Sequence, residues 1–349
     1  MAQQLKKPKI ALPYISEDPL RILVNRNHAV ESVHEIDIAL CDSDGQVIFG
    51  MGAIEKPIFP RSAMKPLQAI ALIEMLIEAG DDCPPLSSAE RALICASHNG
   101  EPLHSDGVKR LLQKFDITPD ALICGAHWSL DQTSLIEQVR LFDAPDKTHN
   151  NCSGKHAGML ILAKLLNGSP SGYADIAHQA QQRILGVLEM MTGSDLMSYS
   201  HGIDGCSAPV YSAPLGNWAR GFALFAGGGI LPAIREQACG ELRQSIAANP
   251  LYIAGHNRAC SAVNEAYGEA ITVKVGAEGV YSAAFHELGL GLMLKTRDGN
   301  KRGAEVGLGA VISALGYDMP ETVTPYFKPI LRNWAGTEVG DITVENLPL

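Results

Sequence analysis

The sequence predicts an α+β fold in which one antiparallel sheet is assembled from both ends of the chain. Strand patterns occur near the N-terminus and return after residue 270, whereas helical patterns fill the segment between them. Strands that are far apart in sequence can bury their apolar faces by joining one sheet, with helices packed on it. With 349 residues, of which 46% are hydrophobic, the chain can form one large core.

The elements follow in that order along the chain. Residues 36–40 and 47–49 flank a turn at residues 42–45 and predict an antiparallel hairpin. Helical spacing then predicts seven helices at residues 65–79, 88–97, 105–115, 134–142, 155–166, 173–191 and 232–248. Apolar runs separated by glycine-containing turns predict strands at residues 271–275, 280–285 and 291–296, and a closing helix is expected at 304–315.

No repeat, low-complexity segment or clear linker interrupts the chain. We therefore predict a single domain over residues 1–349, with residues 1–19 as an N-terminal extension and residues 317–349 as a C-terminal tail.

Charge and composition restrict the class of partner. The net charge is -10 and no stretch is rich in Lys or Arg, which argues against a nucleic-acid or anionic-membrane partner. No apolar run is long enough to span a bilayer, and no signal peptide is recognised, so we expect a cytoplasmic protein. The eight cysteines are scattered, which predicts reduced thiols instead of a disulfide scaffold. A small-molecule partner is expected.

Three short motifs occur in a fixed order: S-x-x-K at residues 62–65, S-x-N at 97–99 and K-x-G at 274–276. Together they are typical of serine hydrolases that use lysine as the base. Each motif alone is common by chance, so the prediction depends on their order and on a shared site.

The S-x-x-K motif at residues 62–65 suits the start of a helix. Pro66 suits the first turn of a helix, which places Ser62 at the helix start and Lys65 one turn later on the same side. Backbone N–H groups at a helix start stabilise negative charge on a reacting oxygen. A lysine base must lose about 3 pKa units, roughly 4 kcal/mol, through burial and a neighbouring cation. We expect Lys274 to be that cation.

The other two motifs also have structural interpretations. A lysine in an alternating strand, as at Lys274, points either to solvent or into a cleft, although Gly276 and Gly279 beside it would let a ligand approach. Ser97 and Asn99 lie where a predicted helix becomes a loop, so Asn99 could be a helix cap instead of a site residue.

Two further loops contain cysteines, at residues 150–156 and 201–206. Cys152 and Cys206, with His156, His201 or Asp204, could form a tetrahedral zinc site, but their spacing matches no zinc finger. Two unrelated buried thiols are the simpler interpretation. A third possibility makes Cys152 the nucleophile with His149 or His156 as its base; we rank it below Ser62 because no comparable set of residues orients it.

Five longer segments then carry a resemblance: residues 60–66, 95–101, 150–158, 201–209 and 274–280. They closely resemble the rhizobial-type (class 3) L-asparaginases of the asparaginase II family, and the resemblance covers about residues 20–316. It implies a fold like that of serine β-lactamases and bacterial glutaminases and a homodimer. It also implies hydrolysis of L-asparagine to L-aspartate and ammonia.

The resemblance implies roles for individual residues. Ser62 with Lys65, and Ser97 with Lys274, would form two Ser-Lys tandems that face each other. A Zn²⁺ site would consist of two cysteines and a lysine: Cys152, Lys155 and Cys206. The residue types alone do not indicate the lysine as a ligand, because an ammonium must lose its proton before it can bind a metal.

We predict substrate binding by Arg61, Asn99, His156 and Asp204. Arg61 would bind the α-carboxylate, unless it forms a surface salt bridge, and Asp204 would bind the α-ammonium or orient a zinc-bound water. Zinc is expected to be structural or substrate-orienting and not strictly catalytic. Ser62 would attack the side-chain amide and form an acyl-enzyme, with backbone N–H groups at the helix start as oxyanion donors.

Three alternative functions are also compatible with the sequence. A glutaminase differs by one methylene in its substrate, which a pocket discriminates by only about 1 to 3 kcal/mol. A serine amidase of the β-lactamase-like group shares the three short motifs but acts outside the cell. A non-enzymatic binding protein is the third.

Overall fold

The computed structural model describes residues 6–10, 12–166 and 168–349. A nine-stranded sheet forms its centre, and two short two-stranded sheets lie apart from it. The strands described are β1 (Tyr14–Ser16), β2 (Leu20–Arg26), β3 (Ala29–Cys41), β4 (Val47–Met51), β5 (Pro57–Ile58), β6 (His201–Ile203), β7 (Pro209–Tyr211), β8 (Ala213–Pro214), β9 (Ile271–Gly276), β10 (Val280–Phe285), β11 (Leu290–Thr296), β12 (Ile330–Arg332) and β13 (Glu338–Val344).

Helices fill the middle of the chain and cover the sheet. They are α1 (Lys65–Ala79), α2 (Ser88–Ile94), α3 (Pro102–Lys114), α4 (Gln132–Leu141), α5 (Ser153–Leu165), α6 (Gln179–Thr192), α7 (Leu215–Phe225), α8 (Ala233–Ala248), α9 (Pro250–Ala254), α10 (Ala259–Tyr267), α11 (Lys301–Ala314) and α12 (Thr324–Phe327). No described helix is both long and apolar enough to cross a membrane.

The long strand β3 organises the sheet. Along one edge it pairs first with β2 and then with β4, and along the other it pairs with β11. The main path runs β12-β13-β2-β3-β11-β10-β9. Strands from both ends of the chain therefore meet at β3 and β11, which confirms the predicted α+β architecture and its antiparallel sheet. One pair, β1 with β4, is parallel.

The two terminal segments, predicted as an extension and a tail, contain strands of the main sheet. β1 pairs with β4, and β13 pairs with β2 over Gly340 to Val344. The backbone N–H groups of Lys6 and Lys9 donate to the carbonyl oxygens of Gly316 and Ala314 at the end of α11. Within β13 only Ile342 is buried, so the segment lacks the apolar alternation that predicts a strand. Its place in the sheet comes from backbone pairing with β2, which the side-chain pattern does not reveal.

Helix α7 was not predicted, yet it packs directly on the sheet. It contacts β3, β10 and β11, and most of its side chains are buried. A Cβ atom at Gly291 in β11 would lie 2.1 Å from the carbonyl oxygen of Ala219, so the glycine allows the helix backbone to touch the strand. The predicted helix at residues 173–191 begins later, at Gln179, after an irregular segment.

Candidate active site

Ser62 lies in a tight turn that leads into α1. A 3₁₀ turn, Arg61–Met64, directly precedes Lys65, and Pro66 occupies the first turn of the helix. Arg61 adopts a left-handed backbone conformation with φ 52°, which is costly for a residue with a side chain. The surrounding structure must therefore hold this turn in place.

Strands β9 and β10 brace the turn from one side. The Ser282 hydroxyl donates to the carbonyl oxygen of Ala63 over 3.1 Å. A Cβ atom at Gly276 would lie 2.4 Å from the carbonyl oxygen of Pro60, so no side chain fits at that position. The glycine of the K-x-G motif thus allows the strand to approach the nucleophile turn, which gives its presence a physical reason.

Ser97 links the two motif lysines. The Nζ atoms of Lys65 and Lys274 each lie 2.8 Å from its Oγ atom. All three side chains are buried, with exposed fractions of 1% for the lysines and 4% for Ser97. The three motifs therefore converge on one buried hydroxyl.

The pairing differs from the predicted tandems in one respect. Within the described residues, the ammonium of Lys65 donates to Ser97 Oγ, to the carbonyl oxygen of Ala96 and to Cys152 Sγ at 3.2 Å, and not to Ser62. A buried ammonium has three donors and needs three acceptors, and this loop supplies them. Ser62 itself is only half-buried.

The electrostatics of the lysine pair favour a base at Lys274. Burial, and then the positive charge of Lys65, lowers the pKa of Lys274 from its ordinary value of 10.5 to about 7. Near neutral pH a substantial fraction of Lys274 is therefore an uncharged amine that can accept a proton.

Asn99 anchors the loop that carries Ser97. Its side chain is fully buried; its Nδ2 group donates to Glu101 and to the carbonyl oxygen of His256, and its Oδ1 atom accepts from Arg258. Both amide hydrogens are thus engaged by the protein. The geometry resembles a structural anchor more than the predicted substrate contact.

Sequence reasoning missed three of these partners. Glu101 also accepts from the backbone N–H of His256 and contacts its ring at 2.7 Å, and Arg258 completes the network. Glu101 ends the segment 95–101 that carries the family resemblance, so the signal was present. The positions of His256 and Arg258 follow from a short helix, α9, that the sequence did not predict.

His156 is also buried. Its Nδ1 atom lies 2.7 Å from the Tyr173 hydroxyl, and the ring packs edge-on against Tyr173. Burial, and then the charges of Lys155 and Lys65, holds its pKa well below the ordinary value. Among the described residues, its Nε2 atom is buried without a hydrogen-bond partner, so a role in substrate binding stays a prediction.

Cys152, Lys155 and Cys206 do come together. Lys155 Nζ donates to Cys206 Sγ over 2.9 Å. A hydrogen bond from Cys206 lowers the pKa of Cys152 well below its ordinary value, although burial opposes the change, and the charges of Lys65 and Lys155 lower it further. The same hydrogen bond, followed by burial, raises the pKa of Cys206.

Cys152, Lys155 and Cys206 can bind zinc once Lys155 has lost its proton. Two sulfur atoms and one nitrogen are a donor set that zinc accepts. Burial lowers the pKa of Lys155, but the negative charges of Cys206, Cys152 and Asp204 outweigh it and raise the pKa. Without metal the lysine is therefore an ammonium and must lose its proton to bind. Among the described residues, no group of three or more His, Cys, Asp or Glu side chains is arranged to hold a metal.

Asp204 connects this cluster with the nucleophile turn. Its Oδ1 atom accepts from Arg61 over 2.7 Å and from the backbone N–H of Gly205 over 2.9 Å. Burial would raise the pKa of Asp204, but Lys155 and Arg61 lower it. The ion pair holds the strained Arg61 and leaves part of its guanidinium exposed.

A cavity of about 340 Å³ opens beside Arg61. Its charged lining consists of four cationic side chains and two carboxylates: Lys56, Arg61, Lys295, Arg297, Asp37 and Glu278. Asp37 is paired with Arg297 at 2.8 Å. The excess of positive charge in a chain of net charge -10 favours the approach of a carboxylate.

A family model described as L-asparaginase II matches residues 22–344. The chain belongs to this family. The predicted family is therefore confirmed, and membership makes the protein an amidohydrolase. No curated protein matches the sequence of this L-asparaginase II family member.

Solved structures similar to this family member share little sequence with it. Mglu, in its native form in the presence of 4.3 M NaCl, has 14% identity and a TM-score of 0.41, with 80% of this chain and 59% of that chain covered. A β-lactamase (Mb2281c) from Mycobacterium bovis has 15% identity and a TM-score of 0.42, with 81% and 95% covered. D-alanine carboxypeptidase AmpC from Burkholderia cenocepacia has 13% identity and a TM-score of 0.40, with 80% and 93% covered. The chain thus spans about three fifths of Mglu.

Proposed function

We propose that this amidohydrolase converts L-asparagine to L-aspartate and ammonia through an acyl-enzyme on Ser62. The observation that carries the proposal is the buried Ser97 hydroxyl, which lies 2.8 Å from both Lys65 and Lys274 beside the Ser62 turn. Ser62 is the better nucleophile on grounds of access, because it is half-buried whereas Ser97 is 4% exposed.

The hydrogen bonds support a proton relay. Lys65 passes a proton to Ser97 Oγ while Ser97 passes its own proton to the neutral amine of Lys274. Lys65 is then neutral and takes the proton of Ser62 as Ser62 Oγ attacks the side-chain amide carbon. The C–N bond breaks, and the leaving nitrogen takes from Lys65 the proton that came from Ser62 and departs as ammonia.

Water completes the reaction. Its proton passes to the neutral amine of Lys65 while its oxygen adds to the acyl carbon. The ester bond to Ser62 then breaks as Lys65 returns the proton to Ser62 Oγ, which gives the carboxylic acid and the free serine. Backbone N–H groups at the turn before α1 are the proposed donors to the oxyanion. Arg61, beside the cationic cavity, is the proposed partner of the α-carboxylate. Asp204 is its counter-ion here and the proposed partner of the α-ammonium.

We also propose that Cys152, Lys155 and Cys206 hold Zn²⁺. When bound, the ion would supply positive charge that keeps both cysteines as thiolates and helps to orient the substrate. None of the bond changes above depends on it. From the family resemblance we further propose a homodimer, and from the sequence pattern a cytoplasmic location.

The test is ammonia release from L-asparagine by the full-length protein. Ser62→Ala is expected to lower kcat by about 10³-fold or more, whereas the exposed Ser171→Ala keeps it unchanged. Cys152→Ser is assayed in parallel. Activity that survives Ser62→Ala and is lost in Cys152→Ser would identify a sulfur nucleophile instead.

L-glutamine is the comparison substrate. We expect kcat/KM for L-glutamine to be roughly 10 to 200 times lower, because the substrates differ by one methylene. A preference for glutamine would make the protein a glutaminase. Background release from both amides by the wild type would favour a binding protein.

A further inference from the structure

Gln68 is a buried glutamine whose side-chain amide has no protein partner. It lies on α1, three residues after Lys65, and is 4% exposed. Within the described residues, neither its Oε1 atom nor its Nε2 group forms a hydrogen bond. Burying an amide without hydrogen bonds is unfavourable, and a methionine of similar size would avoid the penalty. Buried groups of this kind occur where a water, an ion or a functional role accounts for them.

A small cavity lies beside this amide, between α1, α2, α5 and α6. Its volume is about 20 Å³. Gln68 and Lys155 line it, and the rest of its wall consists of apolar side chains and Gly158. A water needs roughly 10 to 15 Å³ in a cavity and at least two polar partners. The cavity therefore has room for one water, and its two polar side chains are the partners that this water needs.

Lys155 lines the cavity from α5 and has hydrogen-bond donors to spare. Its side chain is buried, and its Nζ group donates to Cys206 Sγ over 2.9 Å. The described residues supply no second acceptor for this group. An ammonium has three N–H donors, and an amine bound to a metal has two, so Nζ needs a further acceptor in either state.

Gln68 supplies an acceptor on the α1 side of the cavity. Its Oε1 atom lacks a donor, whereas Lys155 lacks acceptors, and no direct hydrogen bond joins the two side chains in the described part of the chain. When a donor and an acceptor are separated by the space of one water, that water can bridge them almost as well as a direct bond.

We propose that Gln68 is a positioning residue for Lys155 and acts through a water in this cavity. The water accepts a hydrogen bond from Lys155 Nζ and donates one to Gln68 Oε1. Hydrogen bonds of this kind fix the direction of a metal ligand. They hold the N–H groups of Lys155 towards the cavity, so the lone pair of the deprotonated amine is directed to the side of the two cysteines. The inference rests on the proposed zinc site and adds the residue that orients its lysine.

The zinc affinity of the full-length protein tests this role. Gln68→Met keeps the size of the side chain but removes the amide, and its zinc Kd, measured by competition with a chromogenic chelator, should rise about 10- to 100-fold. Gln68→Leu should behave in the same way. Gln68→Asn removes volume but keeps an amide that a water can reach, so its Kd should stay within about threefold of the wild-type value.

A packing role for Gln68 would reverse this order. The methionine fills the space of the glutamine, whereas the asparagine leaves a larger cavity, so a loss of packing would affect Gln68→Asn more. The matched control is Gln113→Met on the exposed side of α3, which should leave the Kd unchanged. Far-UV circular dichroism establishes that each variant is folded.

Failure of the zinc site and failure of the Gln68 role are distinguishable. A wild type that does not bind zinc overturns both. A wild type that binds zinc, with Gln68→Met and Gln68→Leu binding it equally tightly, overturns the role of Gln68 alone. Weaker binding by Gln68→Asn than by Gln68→Met overturns that role as well. Ammonia release, measured on the same samples, reports the proposed reaction separately.

Discussion

Replacing Lys274 with methionine should abolish turnover and yet make the folded protein more stable at neutral pH. A lysine with a pKa near 7 in the folded state, against 10.5 ordinarily, is protonated more weakly there than in the unfolded chain. That fall corresponds to about 4 kcal/mol of destabilisation at pH 7. The variant also loses the hydrogen bonds to Ser97 and to the carbonyl oxygen of Val275, and each loss reduces the gain in stability by roughly 1 kcal/mol. Lys274→Met should therefore gain about 2 kcal/mol.

The pH dependence gives the sharper test. Between about pH 7 and pH 10.5 the unfolded chain binds more protons at this position than the folded protein does, so wild-type stability rises with pH in that window. From pH 7 to pH 9 the wild type should recover about 2 kcal/mol relative to the variant. Below pH 7 the difference stays near its maximum.

Urea denaturation of wild type and Lys274→Met at pH 7 and pH 9 measures this difference. The exposed Lys56→Met serves as the control and should show no change between the two pH values. A stability difference for Lys274→Met that is equal at both pH values would refute a lowered pKa, and with it the case for Lys274 as a neutral base. The wild-type kcat should also fall below about pH 7 as Lys274 becomes protonated.

Two further predictions concern the surroundings of Ser62. Gly276→Ala would place its Cβ atom against the carbonyl oxygen of Pro60 and displace the Ser62 turn. We expect kcat to fall by about a hundredfold while the far-UV circular dichroism spectrum stays native. The control is Gly186→Ala in α6, which should keep full kcat because nothing lies within 4 Å of the added Cβ atom. Purified wild type should contain zinc by elemental analysis, and Cys206→Ser should lose it while the remote, buried Cys239→Ser keeps it. Wild type purified with available zinc but free of it would contradict the proposed site.

The three motifs predicted that Lys65, Ser97 and Lys274 share one site, and these side chains do meet. Helix and strand periodicity placed Lys65 at a helix start and Lys274 in a strand, and the structure brings both to Ser97. Spacing fixes the side of an element on which a residue lies, but not where a flexible four-carbon side chain ends. The direction of Lys65 towards Ser97 and Cys152 depends on acceptors from other segments.

The parts that sequence did not predict are those determined by distant partners. β13 has few buried side chains and owes its conformation to β2. Asn99 and His156 have residue types that suit a substrate site, and their side chains also bond to Arg258, 159 residues later, and to Tyr173, 17 residues later. A polar residue in a motif can hold a loop as well as bind a ligand, and local sequence does not distinguish the two.

The order of strands has a consequence for how the chain folds. One edge of β3 pairs with β11, which is made more than 200 residues later, and β2 is joined later still by β13. Until those segments are synthesised, apolar strand edges stay open to pairing with other chains. Contacts of such long sequence separation also slow folding. Expression yield should therefore respond to chaperone supply and to temperature more strongly than the stability of the finished protein would suggest.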